Sequence, residues 1–384
     1  MTAYCKRVIT LLIGFSLLIP LMPVNQASAT TVSVSAQSAI LMDQSSGRVL
    51  YEKNSHKKVK IASITKVMTA ILAVESGEMD DTVKVSANAV RTEGSSIYLK
   101  KGEKIKLRDL VYGLMLRSGN DAAVSIAEAV GGSVQGFVYM MNKKARELGM
   151  LDTHFANPHG LDAKGDPYSS AYDMALVTKY AMKNPAFRKI FKTKVHKAPN
   201  PTEKWDRVWR NKNKLLFRYD YSTGGKTGFT KRAGRTLIST ASKDDMDLIV
   251  VTLNDGDDWQ DHMNLFNWGF KKYDMVTIAK KGKLSGIKVK KYFKNHLYVH
   301  HDLKLPLSDN EKEDLSTKLT LYEPPKKKEW KHPPAPIGML SVRSDNETIY
   351  KLPIFYSKAK EKEKGFWSFV GHIFMSSIRI DADD

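Results

Sequence analysis

Near its start the chain carries two short apolar runs on either side of a polar tetrapeptide, and then its period changes. Ala39-Ile40-Leu41-Met42 and Arg48-Val49-Leu50-Tyr51 flank Gln44-Ser45-Ser46-Gly47, a spacing that predicts a β-hairpin. From residue 61 to 130 the apolar spacing is helical. Ile64, Val67, Met68, Ile71 and Leu72 form one stripe, and Leu107, Leu110, Val111, Leu114 and Met115 form another. Helical patterns return over 135–148 and 171–183. The period then shortens, and 225–230, 235–241 and 247–253 predict three consecutive strands, with Lys243-Asp244-Asp245 as a turn. Two strands, a long helical insertion and three more strands describe an α+β domain. Its expected form is an antiparallel sheet covered by helices rather than alternating βαβ units.

Past residue 282 the pattern breaks into short β-like pieces, 287–293, 318–322 and 348–354. They are separated by Pro324-Pro325 and Pro333-Pro334-Ala335-Pro336, and predict a small all-β domain over 283–357. The two ends differ from both domains. Lys6 and Arg7 precede an apolar run over 8–24, and Ala27-Ser28-Ala29 follows with the small-x-small form of an export cleavage site. A signal peptide over 1–29 is expected, leaving 30–282 as the first domain. A transmembrane anchor competes, but Pro20 and Pro23 interrupt the run. At the other end, Phe366, Phe369, Val370, Ile373 and Phe374 repeat at helical spacing behind a lysine-rich lead-in. Residues 358–384 therefore read as an amphipathic helix lying in the membrane surface, too short and polar to span it. Docking of that helix on its own domain is the alternative.

Composition narrows the partners. The chain has 384 residues, a formal charge of +20 and one cysteine, so an internal disulfide framework and any multi-cysteine metal site are excluded. Cys5, Lys6 and Arg7 leave with the leader, and the remaining chain is cysteine-free at +18. An exported protein of that charge faces an anionic wall or lipid surface rather than nucleic acid, or else carries the charge for solubility. His300-His301-Asp302 is set aside as a metal site, because neighbours on a strand point to opposite faces. No metal or cofactor is expected.

Three short motifs carry chemistry. Ser63-Ile64-Thr65-Lys66 opens the first helical stripe, and i and i+3 share a helix face, so the Lys66 amine can reach the Ser63 hydroxyl. Burial and positive neighbours would lower the lysine's pKa and make it a base toward serine. The plain alternative is an N-cap serine with a solvated lysine, and Ser-x-x-Lys recurs at Ser55, Ser285 and Ser357. Ser118-Gly119-Asn120 falls in a break between two helical patterns and also reads as a turn; Ser-x-Asn recurs at Ser86, Ser308 and Ser344. Lys226-Thr227-Gly228 is the only Lys-Thr-Gly and lies on a predicted strand, whose edge could pair with an extended peptide. A phosphate-loop reading fails because Asp220 stands where glycine is required.

In this order the motifs form the Ser-x-x-Lys, Ser-x-Asn, Lys-Thr-Gly set of penicillin-binding proteins and class A β-lactamases. The chain resembles the low-molecular-mass penicillin-binding proteins, the D-alanyl-D-alanine carboxypeptidases, and among them the sporulation-associated carboxypeptidase of endospore-forming bacteria. The stretches 61–70, 116–123 and 157–161 share the likeness. It implies the penicillin-binding/β-lactamase-like fold, a substrate that is the pentapeptide stem of peptidoglycan, covalent inhibition by β-lactams, and a place at the outer face of the cytoplasmic membrane in the wall space. It further implies that Ser63 attacks the carbonyl between two D-alanines, that Lys66 takes the Ser63 proton, and that Ser118 relays protons with Lys226. Asn120 would hold the acyl-side amide and Thr227 the terminal carboxylate, beside Gly228, with the backbone N–H groups of Ser63 and Phe229 as oxyanion hole.

The likeness has departures. The arginine some members carry after the last strand is replaced by the acidic Asn254-Asp255-Gly256-Asp257-Asp258, and Gly119 stands where the β-lactamase motif has aspartate. A β-lactamase is disfavoured because no Glu-x-x-Leu-Asn lies between Asn120 and Lys226. An endopeptidase or transpeptidase differs only in acceptor or bond. A non-catalytic wall-binding protein would not need Ser63, Lys66, Ser118 and Lys226 together. A Ser-His-Asp hydrolase is opposed by the lack of a Gly-x-Ser-x-Gly elbow.

Overall fold

The computed structural model of the protein describes residues 32–162, 165–284, 289, 290, 293, 296–323 and 332–357. The expected leader with Cys5, the expected tail, Pro324-Pro325 and part of the expected strand 287–293 lie outside the described residues.

Five strands build the main sheet: β1 (Ser38–Asp43), β2 (Val49–Lys53), β3 (Ser222–Thr230), β4 (Gly234–Lys243) and β5 (Met246–Leu253). They pair antiparallel in the order β2-β1-β5-β4-β3, which leaves β3 at an edge. The central strands read as continuous apolar runs because both of their faces are covered. Ile40, Met42, Ile249 and Val251 join the helical core on one side. On the other side a Cβ at Gly269 would lie 2.9 Å from Leu41 and 3.0 Å from Leu248, so only glycine lets that helix come so close. The longer helices are α1 (Lys66–Glu75), α2 (Leu107–Arg117), α3 (Asn120–Gly131), α4 (Val134–Glu147), α5 (Ala171–Ala181) and, on the opposite face of the sheet, α6 (Asp258–Lys272). Every residue of α1 from Lys66 to Val74 is buried, as expected of a helix that is apolar on all sides.

The expected α+β arrangement of sheet and helical cluster is thus present. The stretch 61–130 is less uniform than its periodicity predicts, since Thr82–Lys84 and Lys104–Lys106 pair as a small antiparallel sheet. Each has a single buried apolar residue, Val83 or Ile105, which is too little to register as alternation. The hairpin Val195–Ala198 with Arg207–Arg210 is equally faint in sequence, because one of its inward positions is Arg207, paired with the buried carboxylate of Glu103 at 2.5 and 3.0 Å.

The C-terminal part is all-β apart from one short helical turn. β6 (Asp274–Ala279) pairs with β9 (Leu303–Leu307). The second sheet holds β7 (Gly282–Lys283), β8 (Leu297–Val299), β10 (Ser316–Leu321), β11 (Gly338–Ser344) and β12 (Glu347–Tyr356) in the order β7-β8-β12-β11-β10. Arg48, at the foot of β2, donates to the Pro306 carbonyl and ion-pairs with Glu311, tying this part to the main sheet. The His300 ring packs 4.3 Å from that of Phe355.

Candidate active site

The first motif folds as a 3-10 turn, Ala62–Thr65, running straight into α1. Ala62 is buried with φ +48°, a left-handed conformation that costs a non-glycine residue ~1–3 kcal/mol. The surroundings enforce it. Thr236 on β4 donates to the Ile61 carbonyl at 3.0 Å. Gly160, itself at φ +85°, passes so close that a Cβ there would lie 1.9 Å from the Ala62 oxygen. Ser63 is held at this bend, half-buried.

Lys66, fully buried, has its Nζ 2.9 Å from Ser63 Oγ, 2.7 Å from Asn120 Oδ1 and 2.7 Å from the His159 carbonyl. The last two are carbonyl oxygens and can only accept. A neutral lysine has two N–H donors and one lone pair; with both donors used, the lone pair is left facing the Ser63 hydroxyl. Burial first, then the positive charges of Lys226 and Lys212, hold the Lys66 amine well below the usual lysine range. A buried amine at ordinary basicity would stay charged and could take no proton.

A second lysine repeats the arrangement. Lys226 Nζ lies 3.1 Å from Ser118 Oγ and donates to the Thr227 carbonyl at 2.6 Å. Burial, with Lys212 adding to it, brings its pKa down to about 7. Ser118 ends α2 in the left-handed region at φ +65°, and α3 starts at Asn120, so the break between the helices turns both side chains toward the lysines. Gly228, on edge strand β3, explains its own identity: a Cβ there would lie 2.9 Å from Ser63 N and 2.4 Å from Thr236 Oγ1. Thr227 and Phe229 flank it on the open edge, and Phe229 is exposed.

All eight residues picked out by sequence therefore lie around or beside one cleft. Ser63, Lys66 and Asn120 are joined by hydrogen bonds, Ser118 and Lys226 by another, and the charge of Lys226 acts on Lys66. Thr227 and Gly228 adjoin them, and Phe229 stands at the rim. Asn120 does more than was expected of it: Oδ1 accepts from Lys66 while Nδ2 donates to the Glu93 carbonyl at 2.6 Å, so it ties the Lys66 amine to the 93–99 loop. Three contributors escaped the sequence reading. His159 contributes only its carbonyl, and its ring is kept neutral, with a pKa down to about 3, by burial and by Lys66. Asp121 is buried and gathers the 96–99 loop. Lys212 depresses both site lysines and sits 3.4 Å from Ser95 Oγ. Lys212 stands in Asn211-Lys212-Asn213-Lys214, where nothing distinguishes it from a surface lysine. The acidic stretch after β5 is occupied, with Asp258 paired to Arg235 and Asp255 accepting from Ser35 at 2.7 Å. Among the described residues no group of three or more His, Cys, Asp or Glu side chains is placed to hold a metal ion.

Comparison with known proteins adds names to this geometry. Residues 24–257 match the family of D-alanyl-D-alanine carboxypeptidases, and residues 273–362 match the C-terminal domain of penicillin-binding protein 5. The D-alanyl-D-alanine carboxypeptidase DacF of Bacillus subtilis is 32% identical over 95% of this chain and 97% of its own. The crystal structure of penicillin-binding protein 5 from Haemophilus influenzae superposes with a TM-score of 0.74 at 27% identity, covering 85% of this chain and 98% of the other. A DD-transpeptidase of Streptomyces gives 0.59 at 30% identity, over 63% of this chain and all (100%) of its own.

Proposed function

The chain belongs to the D-alanyl-D-alanine carboxypeptidase family, and we propose that the Ser63–Lys66 pair is its reaction centre. It is a serine-type carboxypeptidase that removes the terminal D-alanine from peptidoglycan stems and is acylated by β-lactams. The observation that carries the assignment of residues is the Lys66 amine, buried, depressed, and with its other partners able only to accept.

Ser63 Oγ attacks the carbonyl carbon between the two D-alanines as its proton passes to Lys66 Nζ. The backbone N–H groups of Ser63 and Phe229 face the oxyanion, and removing one such donor typically costs about 3–4 kcal/mol. The C–N bond then breaks as the proton held by Lys66 is relayed through Lys226 and Ser118 to the leaving amine, and D-alanine departs with Lys66 neutral again. Water attacks the Ser63 ester as its proton passes to Lys66; the C–O bond to Ser63 breaks, Lys66 returns that proton to Ser63 Oγ, and the shortened stem leaves as the free acid. Asn120 keeps an N–H for the acyl-side amide after donating to Glu93. Thr227 on the strand edge takes the terminal carboxylate. Lys212 supplies the positive charge there, in place of an arginine that the acidic 254–258 stretch does not contain.

The family's work on the wall is extracytoplasmic. A leader over 1–29, a catalytic part over 30–282, a β domain over 283–357 and a membrane-surface tail over 358–384 complete our reading of the chain, which fits cell-wall maturation, including that of the spore. A transpeptidase reading is favoured only by the Streptomyces likeness and differs in using an amine as acceptor. Incubating the protein with a pentapeptide muropeptide and measuring free D-alanine tests the assignment. Release is expected from the wild type and is lost in Ser63→Ala; equal release from both would remove Ser63 as nucleophile. A cross-linked product formed in preference to free acid would support transpeptidation.

A further inference from the structure

Tyr98 sits on the loop that walls the cleft behind Asn120, and two features of it call for a reason. It is 83% exposed, and its φ of +61° places a bulky aromatic residue in the left-handed region. Both neighbours are anchored inward: Ile97 and Leu99 are buried, and their N–H groups donate to Asp121 at 3.0 and 3.1 Å. Ser96 Oγ donates to the same carboxylate at 2.6 Å while accepting from Tyr98 N at 2.8 Å. Between these two buried neighbours Tyr98 is turned outward. The loop is also joined to the site itself, since Asn120 donates from its backbone to Ser95 O at 2.6 Å and from its side chain to Glu93 O. A backbone locked so firmly into an unfavourable conformation to present a ring to water is poor fold stabilisation.

We infer that Tyr98 is a substrate-contacting residue, packing against the stem peptide upstream of the scissile bond. The inference rests on the function proposed above. There the terminal carboxylate lies toward Thr227 and Lys226 and the acyl portion lies toward Asn120. The upstream stem residues then leave the cleft past the 93–99 loop, and a fixed aromatic ring offers their aliphatic side chains a large apolar contact at little entropy cost. Trp205, 67% exposed, follows Glu203, whose ion pair with Lys100 at 2.8 Å ties its segment to the end of the same loop.

The test compares N-acetyl-D-Ala-D-Ala, a pentapeptide stem and a disaccharide pentapeptide as donors. For Tyr98→Ala, kcat/KM on both longer donors falls about tenfold, mostly through KM, the loss of a single apolar contact. On the short donor it changes by less than about twofold. Tyr98→Phe restores the longer donors. Tyr98→Gly shares the loss but melts at a higher temperature, because glycine accepts the backbone conformation. Equal effects on short and long donors, no effect on any, or a loss confined to the disaccharide form overturns the stem contact. A wild type that hydrolyses none of the three overturns the carboxypeptidase reading as well.

Discussion

At the scale of single residues, the site depends on keeping two lysines uncharged. Lys66 and Lys226 are the two lysines buried in the interior among the described residues, and each lies in the positive field of Lys212. A lysine acts as a base only when neutral, so the acylation rate rises with pH through the depressed pKa. Replacing Lys212 by Gln removes a positive neighbour from both, and both pKa values move back up. The rising limb of β-lactam acylation should then shift to higher pH, and acylation at neutral pH should slow. Stopped-flow acylation across pH 5–10 would measure it; a limb that stays in place would mean Lys212 does not act through its charge. Ser63, Lys66, Ser118 and Lys226 were legible from motif order, because chemistry restricts which residue types can stand there. Lys212 and the His159 carbonyl were not: a solvated lysine has the same letter, and a backbone oxygen has none.

At the scale of elements, the site exists because strand β3 meets the bend before α1 at backbone contact distance. Gly228 makes that approach, and it faces Thr236 and the Ser63 amide rather than a turn. Gly228→Ala puts a Cβ 2.4 Å from Thr236 Oγ1 and 2.9 Å from Ser63 N, and reaching ordinary contact at 3.4 Å takes shifts of up to about an ångström. Displacements of about that size cost on the order of a hundredfold in rate. We expect penicillin labelling to slow by about that factor while circular dichroism and cooperative melting persist; normal labelling would show that β3 can give way freely. The sheet strands, α4 and α5 were readable because burial on a fixed face imposes a period. The small sheet at 82–84 and 104–106 was not, since a three-residue strand with one buried position has no period to detect. Nor did periodicity distinguish the 3-10 turn from the helix it precedes; the packing of Gly160 against Ala62 selects it.

At the scale of the whole molecule, the positive charge divides between the cleft and the surface. No helix among the described residues is long and apolar enough to cross a membrane. Attachment in our reading belongs to residues 358–384, and deleting them should abolish flotation of the protein with anionic liposomes while leaving turnover of soluble donors intact; flotation that survives the deletion would reject the tail as anchor. The sequence alone determined the class of chemistry, the order of the main-sheet strands and the longer helices along the chain, and the motif residues that carry a functional group. These are local facts, written in side-chain type and in the period of burial. Tertiary structure decided which carbonyls occupy Lys66, why residue 228 is glycine, how Asn120 divides its side chain between base and loop, and where Tyr98 is presented. Each of those depends on segments tens to more than a hundred residues apart meeting at contact distance, and a backbone atom or a neighbour's charge acts there without leaving a mark in the sequence.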